Sequence, residues 1–470
     1  MNRKLFLLVC VVITILGGCT LAPRYNRPAS PVSADWPTGA AYHETKTGAI
    51  TAPAASDLPW REFFTDDCLR KVIETALNNN RDLRLASLNV ERARAYYGIQ
   101  RAELLPAVNA VGSGGKKRVP ADLSTTGRRM TAEQYEVNLG ISSWEIDFFG
   151  RIRSLKDRAL EEYLATDQAR RSAQILLVST VANTYLALAA DREALRLVAS
   201  TLEIQETSYK LIRKRFDVGL ASKLDLRQAQ SQVDIAGSDV ARYTQLAAQD
   251  ENALNLLVGS PLPPTLLPFD LAGVTPPKDV SPGLSSELLL RRPDVLAAEH
   301  QLKAANANIG AARAAFFPRI SLTTAIGTAS ADLSGLFKSG QGTWSFAPQI
   351  VMPIFDARTW SAYDVTKVEK EIAVAQYEKT IQAAFREVAD ALAEQDTVNR
   401  RIAAQQSLVD AVAETYRLSN VRYTKGIDSY LGVLDAQRSL YAAQQGLIAL
   451  HFARFANLVL LYTVLGGGSH

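Results

Sequence analysis

Residues 215–220 read Arg-Phe-Asp-Val-Gly-Leu, and residues 422–427 read Arg-Tyr-Thr-Lys-Gly-Ile. The second stretch repeats the first 207 positions later. The register persists through Ser222/Ser429, Leu224/Leu431, Ala229/Ala436, Gln230/Gln437 and Gly259/Gly466. Upstream, at an offset of 212, Asp82-Leu83 matches Asp294-Val295, followed by Ala93/Ala305, Gly98/Gly310, Arg101/Arg313 and Pro106/Pro318. Between these, Phe148-Phe149-Gly150-Arg151 aligns with Phe355-Asp356-Ala357-Arg358. A match held in order over that span marks an internal duplication. The chain of 470 residues thus divides into a first repeat over 59–259 and a second over 285–466. A Pro-rich linker at 260–284 joins them, and a short tail follows at 467–470.

Each repeat predicts the same order of elements. A helix rich in Ala, Leu, Arg and Glu comes first, over 68–103 and 285–316, stopped by a proline. Two alternating runs follow, then a very long helical stretch over 153–215 and 360–422. Sixty residues at 1.5 Å rise make about 90 Å of helix, far more than a compact domain is wide. Such a helix has to be covered by other long helices, as in a coiled coil. A turn containing Gly219 or Gly426 reverses the chain, and a second helix runs to Gly259 or Gly466. The tips of these reversals are Val218, Gly219 and Leu220 in one repeat and Gly426, Ile427 and Asp428 in the other.

The alternating runs say what the helices are attached to. Tyr135, Val137, Leu139 and Ile141 alternate with polar or small residues, as do Ile320, Leu322, Thr324 and Ile326, and then Trp344, Phe346, Ile350 and Met352. A fourth run near 107–116 is weak and Gly-rich. Period two over about ten residues suits a transmembrane β-strand, apolar outward and polar inward, with Tyr135 and Trp344 as interfacial aromatics. A half-buried strand of a soluble sheet has the same pattern. If the runs face lipid, four strands cannot close a barrel, because a membrane barrel needs about eight or more and no open edge survives in hydrocarbon. Several copies must then share one barrel.

The N-terminus reads as a targeting segment over 1–18, with Arg3 and Lys4 before the apolar stretch Leu5–Leu16. It ends in Leu16-Gly17-Gly18-Cys19. A Pro-rich stretch over 19–58 then predicts an extended arm. No run of about 18 or more apolar residues follows the signal, so no transmembrane helix is expected. The three cysteines are Cys10, Cys19 and Cys68, which leaves Cys68 unpaired and excludes a disulfide framework. Net charge is only +4, which makes no case for nucleic acid. The four histidines, His43, His300, His451 and His470, form no metal or catalytic motif, and neither a P-loop nor a G-x-S-x-G occurs. No cofactor, no metal and no catalysis are expected.

These features resemble the TolC-like outer membrane factors, in particular the lipoprotein branch that serves resistance-nodulation-division efflux systems. The resembling segments are Leu58-Pro59-Trp60-Arg61-Glu62-Phe63-Phe64, Trp144-Glu145-Ile146-Asp147-Phe148-Phe149-Gly150-Arg151, Arg291-Arg292-Pro293-Asp294, residues 304–313 and residues 430–438. The resemblance implies a mostly α, α+β membrane protein. Three protomers, each with four strands, would form a 12-stranded outer-membrane β-barrel continued by a long periplasmic α-helical barrel. It implies that the signal is cut before Cys19 and that Cys19 is acylated, with Thr20 in place of the inner-membrane retention Asp. It implies a passive exit duct for drugs and small toxic compounds, working with a periplasmic adaptor and an inner-membrane pump. Arg422, Tyr423 and Asp435 fall where the family's gate residues fall, and Asp225 matches an acidic position in the first repeat. Tyr423 and Asp435 stand to face each other across the turn. Gly432 departs from relatives with an aspartate ring there, and the tips are the expected adaptor-docking surface. Two other readings share much of the pattern. One is a duct for type I protein secretion, and the other is a non-conducting coiled-coil lipoprotein spanning the periplasm.

Overall fold

A computed structural model describes residues 20–42, 55, 58–280 and 285–468. The signal, Cys19, His43 and His470 lie outside the described residues. The elements run α1 (Trp60–Phe63), α2 (Asp67–Asn79), α3 (Arg81–Ala102), β1 (Val108–Val119), β2 (Met130–Glu145), α4 (Arg151–Asp217), α5 (Lys223–Val258), α6 (Pro293–Ala314), β3 (Arg319–Ser330), β4 (Gly342–Val351), α7 (Ala357–Thr424) and α8 (Tyr430–Val464). The chain forms two compact units. One comprises 1–29, 89–167 and 297–377, and the other comprises 30–88, 168–296 and 378–470. Each unit therefore draws on both repeats.

The first unit holds an antiparallel sheet in the order β1-β2-β3-β4. Its cross-strand partners sort the side chains into two faces. Ala110, Leu139, Ile326 and Trp344 stand opposite one another on one face, as do Val108, Ile141, Thr324 and Phe346. Asn109, Gly140, Ala325 and Ser345 lie on the other face, as do Val111, Asn138, Gly327 and Thr343. Leu139, Ile326, Trp344 and Phe346 are exposed, so the apolar face has no cover of its own. The small, mostly polar face is crowded by backbone: a Cβ at Gly327 would come within 2.1 Å of the Val137 carbonyl oxygen.

Two departures from strict alternation have local causes. Trp144 sits out of phase with Ile141, yet it pairs with Leu322 on the apolar face. A β-bulge between Ile141 and Trp144 inserts the extra residue, with Ser143 at φ 54, and so restores the phase. The weak run at 107–116 is a full strand, Val108–Val119. There the Tyr135 ring covers Gly114, so close that a Cβ would lie 2.8 Å from it. The partner strand supplies the apolar surface that the glycines lack.

The second unit is built on helices. The single first helix expected over 68–103 is broken at Asn80, which caps both sides of the break. Its N–H donates to the Ala76 carbonyl at 2.8 Å, and its Oδ1 accepts from the Leu83 N–H at 2.9 Å. In the second repeat the corresponding stretch begins as a 3-10 turn, Ser286–Arg291, and α6 starts at Pro293, a residue suited to the first helical position. The aromatic residues of 58–64 form a core: Phe63 stacks on Tyr462 at 3.9 Å, and the Tyr462 hydroxyl donates to the Leu58 carbonyl at 2.6 Å. The sequence expectation of no helix apolar enough to span a membrane needs correction. Arg151–Asp217 and Tyr430–Val464 each contain a window that passes by length and composition. Part of each helix lies in the core: Val181, Ala182, Leu186, Leu188, Val459 and Leu461 are fully buried.

Candidate gate and docking tips

The two helical reversals close in the same way. At the first, the Gly219 N–H donates to Phe216 O at 2.9 Å and the Leu220 N–H to Arg215 O at 2.7 Å. At the second, Gly426 donates to Tyr423 O at 2.9 Å and Ile427 to Arg422 O at 3.0 Å. Gly219 and Gly426 adopt φ 76 and φ 74. This is a Schellman closure, with glycine in the left-handed conformation just past each helix. It leaves Val218, Leu220 and Ile427 exposed on the tips.

Beyond the glycine the two tips diverge. Ser222 and Asp225 make a reciprocal capping box at the start of α5: the Asp225 N–H donates to Ser222 Oγ at 3.0 Å, and the Ser222 N–H to Asp225 Oδ2 at 3.0 Å. Ser429 begins α8 without a side-chain cap, and Gly432, which stands where the first repeat has Asp225, has no side chain to return the bond to the Ser429 N–H. The second tip is closed by charge instead. Arg422 donates to both carboxylate oxygens of Asp428, at 2.5 and 3.1 Å. That bidentate bond holds the Asp428 carboxyl below its ordinary value and raises the Arg422 guanidinium.

Tyr423 lies 5.3 Å from Tyr430 between ring centroids, and the Arg215 guanidinium lies over the Tyr423 ring at 5.1 Å. Arg215 lies in the last turn of α4 and Tyr423 near the end of α7, so this contact joins the two helical hairpins. Beneath it Ile212, Ala229, Tyr430, Val433 and Leu434 form a small core, with Tyr209, Tyr416 and Leu226 packed on it. Burial, with Tyr423 alongside, pushes the Tyr430 hydroxyl up to about 12. Farther along, Tyr441 donates to Asp239 at 2.9 Å and Gln445 to Tyr243 at 3.3 Å, tying α8 to α5.

Within the protomer, then, the four residues singled out from sequence do not form one cluster. Arg422 pairs with Asp428, Tyr423 pairs with Tyr430 and Arg215, and Asp225 is occupied in its cap. Asp435 is exposed and has no ion pair or hydrogen bond among the described residues. Tyr430 and Arg215 were not singled out as functional residues. The available signal was the repeat itself, which puts Tyr430 opposite the polar Lys223 and so marks a position where the halves differ. His300 is paired with Glu161 at 2.6 Å, and Cys68 Sγ lies 3.9 Å from the Thr265 carbonyl.

Residues 72–260 and 284–467 match the family described as outer membrane efflux protein. The toluene efflux pump outer membrane protein TtgC of Pseudomonas putida is 50% identical over 467 residues, covering 99% of this chain and 96% of the relative. The antibiotic efflux pump outer membrane protein ArpC of the same species is also 50% identical over the same coverage. Among solved structures, the open state of the Neisseria gonorrhoeae MtrE outer membrane channel superposes with a TM-score of 0.85 at 37% identity, covering 96% of this chain and 98% of that one. The two matched segments coincide closely with the duplicated halves, and the chain belongs to the outer membrane efflux protein family.

Proposed function

We propose that this protein is the outer-membrane exit duct of a tripartite efflux pump, with drugs, solvents and similar small toxic compounds as its cargo. The observation that carries this reading is the sheet: four antiparallel strands with an uncovered apolar face and a small polar face. Three copies supply the strands for a closed barrel, with the apolar face to lipid and the polar face to the lumen. Nothing in this duty requires a chemical step, so the energy comes from the inner-membrane pump through a periplasmic adaptor. Acylation of Cys19 would anchor the chain in the outer membrane. The exposed Val218, Leu220 and Ile427 suit the adaptor's docking site.

The gate reading rests on the tip geometry. Tyr423 and Arg215 hold one hairpin to the other, and Arg422–Asp428 stiffens the second tip. Asp435, exposed and unpaired in the protomer, is free to accept donors from a neighbouring copy. Purified protein in a planar bilayer should conduct in small steps, and Tyr423→Ala or Asp435→Ala should raise conductance or open probability. A preparation that never conducts, in any variant, supports the non-conducting rod. Conduction unchanged by either substitution removes the gate assignment and leaves the duct.

A further inference from the structure

The arm and α6 match each other in a way that neither the duplication nor the duct explains. Glu299, Asn306 and Arg313 recur every seven residues on α6, so they form one row along one face. Each takes hold of the arm. Arg313 Nη1 donates to the Leu21 carbonyl at 3.2 Å, and Asn306 Nδ2 to the Pro23 carbonyl at 2.7 Å. Tyr25 donates its hydroxyl to Glu299 at 3.1 Å, and Arg27 adds two bonds to the same carboxylate, at 3.1 and 2.7 Å. The spacings agree: residues 21 to 27 in extended form span about 20 Å, and residues 299 to 313 of a helix span about 21 Å.

The groove floor is Gly310. A Cβ there would come within 2.8 Å of the Ala22 nitrogen. Glu299 is nearly inaccessible, at 3% side-chain exposure, and Lys303 reaches it as well at 3.2 Å. Burial alone would raise its carboxyl, but hydrogen bonds from Arg27 and Lys303 outweigh that and lower it. It therefore stays charged where the arm needs it. The first repeat has the same glycine, Gly98, but nothing lies within 4 Å of a Cβ there. Ser87 and Arg94 replace Glu299 and Asn306 in that helix. The duplicated helices thus differ in the residues that grip the arm.

We propose that this face of α6 is a docking groove for residues 21–27, which it holds in a single register and which thereby sets where the N-terminal end of the chain leaves the protein. The row runs toward β3, so residue 21 is delivered at the end of α6 next to the strands. An acyl chain on Cys19 would start from that point, but the groove itself does not depend on acylation.

Limited trypsin digestion of the purified full-length trimer tests this at the bond after the exposed Arg24, which lies between two of the grips. Cleavage of a docked segment follows the fraction of time it is open. Arg27→Ala and Asn306→Ala should each speed cleavage at Arg24, and together by about tenfold or more, given the size of hydrogen bonds to charged groups. Arg27→Ala removes the grip from the arm side and takes nothing out of the helix, so it serves if Asn306→Ala fails to assemble. Equal cleavage in wild type and Arg27→Ala overturns the proposal. A chain exported behind a non-lipoprotein signal should stay as protected as the acylated one. If it is cut as fast as the variants, lipid rather than α6 holds the arm, and the proposal fails.

Discussion

The two helical tips share a backbone and differ in what stabilises them. Both end a helix of more than 60 residues on a glycine at positive φ, with the same pair of closing hydrogen bonds. After that the first tip relies on a polar cap, Ser222 with Asp225, and presents Lys223 and Arg227 to solvent. The second replaces those two with Tyr430 and Leu434, both buried, and adds the Arg422–Asp428 pair. Duplication preserved the reversal, which backbone geometry demands. It released the side chains, and the second copy became the one that packs.

The largest expected effect separates the cores. Leu434→Ala should weaken the tip by about 2–5 kcal/mol, as a fully buried leucine in a packed site does, whereas Arg227→Ala at the equivalent position should stay within about 0.5 kcal/mol. Amide hydrogen exchange across both tips measures this, and equal deprotection would erase the distinction. Next come the glycines. Gly219→Ala and Gly426→Ala should each cost about 1–2 kcal/mol, since both residues sit in the left-handed region. A clear inequality between them would mean that the backbones are not interchangeable after all.

The caps should differ by less. Ser222→Ala removes a working cap and should cost about 1 kcal/mol, while Ser429→Ala should be nearly silent. Gly432→Asp transplants the missing half of the box, and nothing within 4 Å obstructs its Cβ. It should slow exchange in the first turn of α8. The smallest effect concerns pH. The Asp428 carboxyl is held below its ordinary value of 3.8, so its pairing with Arg422 is intact above that value and is lost as pH falls through the lowered one. Channel recordings should therefore show steady closure from pH 7 down to about pH 4, with more frequent openings only below the ordinary carboxyl value of 3.8. Openings that increase already at pH 6 would point to another group.

Much of the architecture was legible because it rests on periodicity. The duplication, the long helices, their glycine reversals and three of the four strands follow from spacing alone, since a helix or strand face must repeat at its own period. The fourth strand was faint because Gly112, Gly114 and Gly115 erase the alternation, and its apolar cover comes from Tyr135 on the next strand. Trp144 reaches the apolar face only through a bulge, which cannot be counted from one strand. The break at Asn80 was hidden because its side-chain partner, the Leu257 carbonyl, is 177 residues away.

For the candidate gate, the sequence determined which residue types stand at the two tips, and the repeat showed where the halves diverge. Only the tertiary structure decided their partners. Arg422 turned to Asp428, Tyr423 to Tyr430 and Arg215, and Asp225 to its own cap, leaving Asp435 open to solvent. The reason is physical. Periodicity sets which face of a helix a residue occupies, but the pairs Arg422–Asp428, Tyr423–Tyr430 and Ser222–Asp225 depend on how the chain folds back past each glycine, and the Arg215–Tyr423 contact depends on how hairpins distant in sequence pack together.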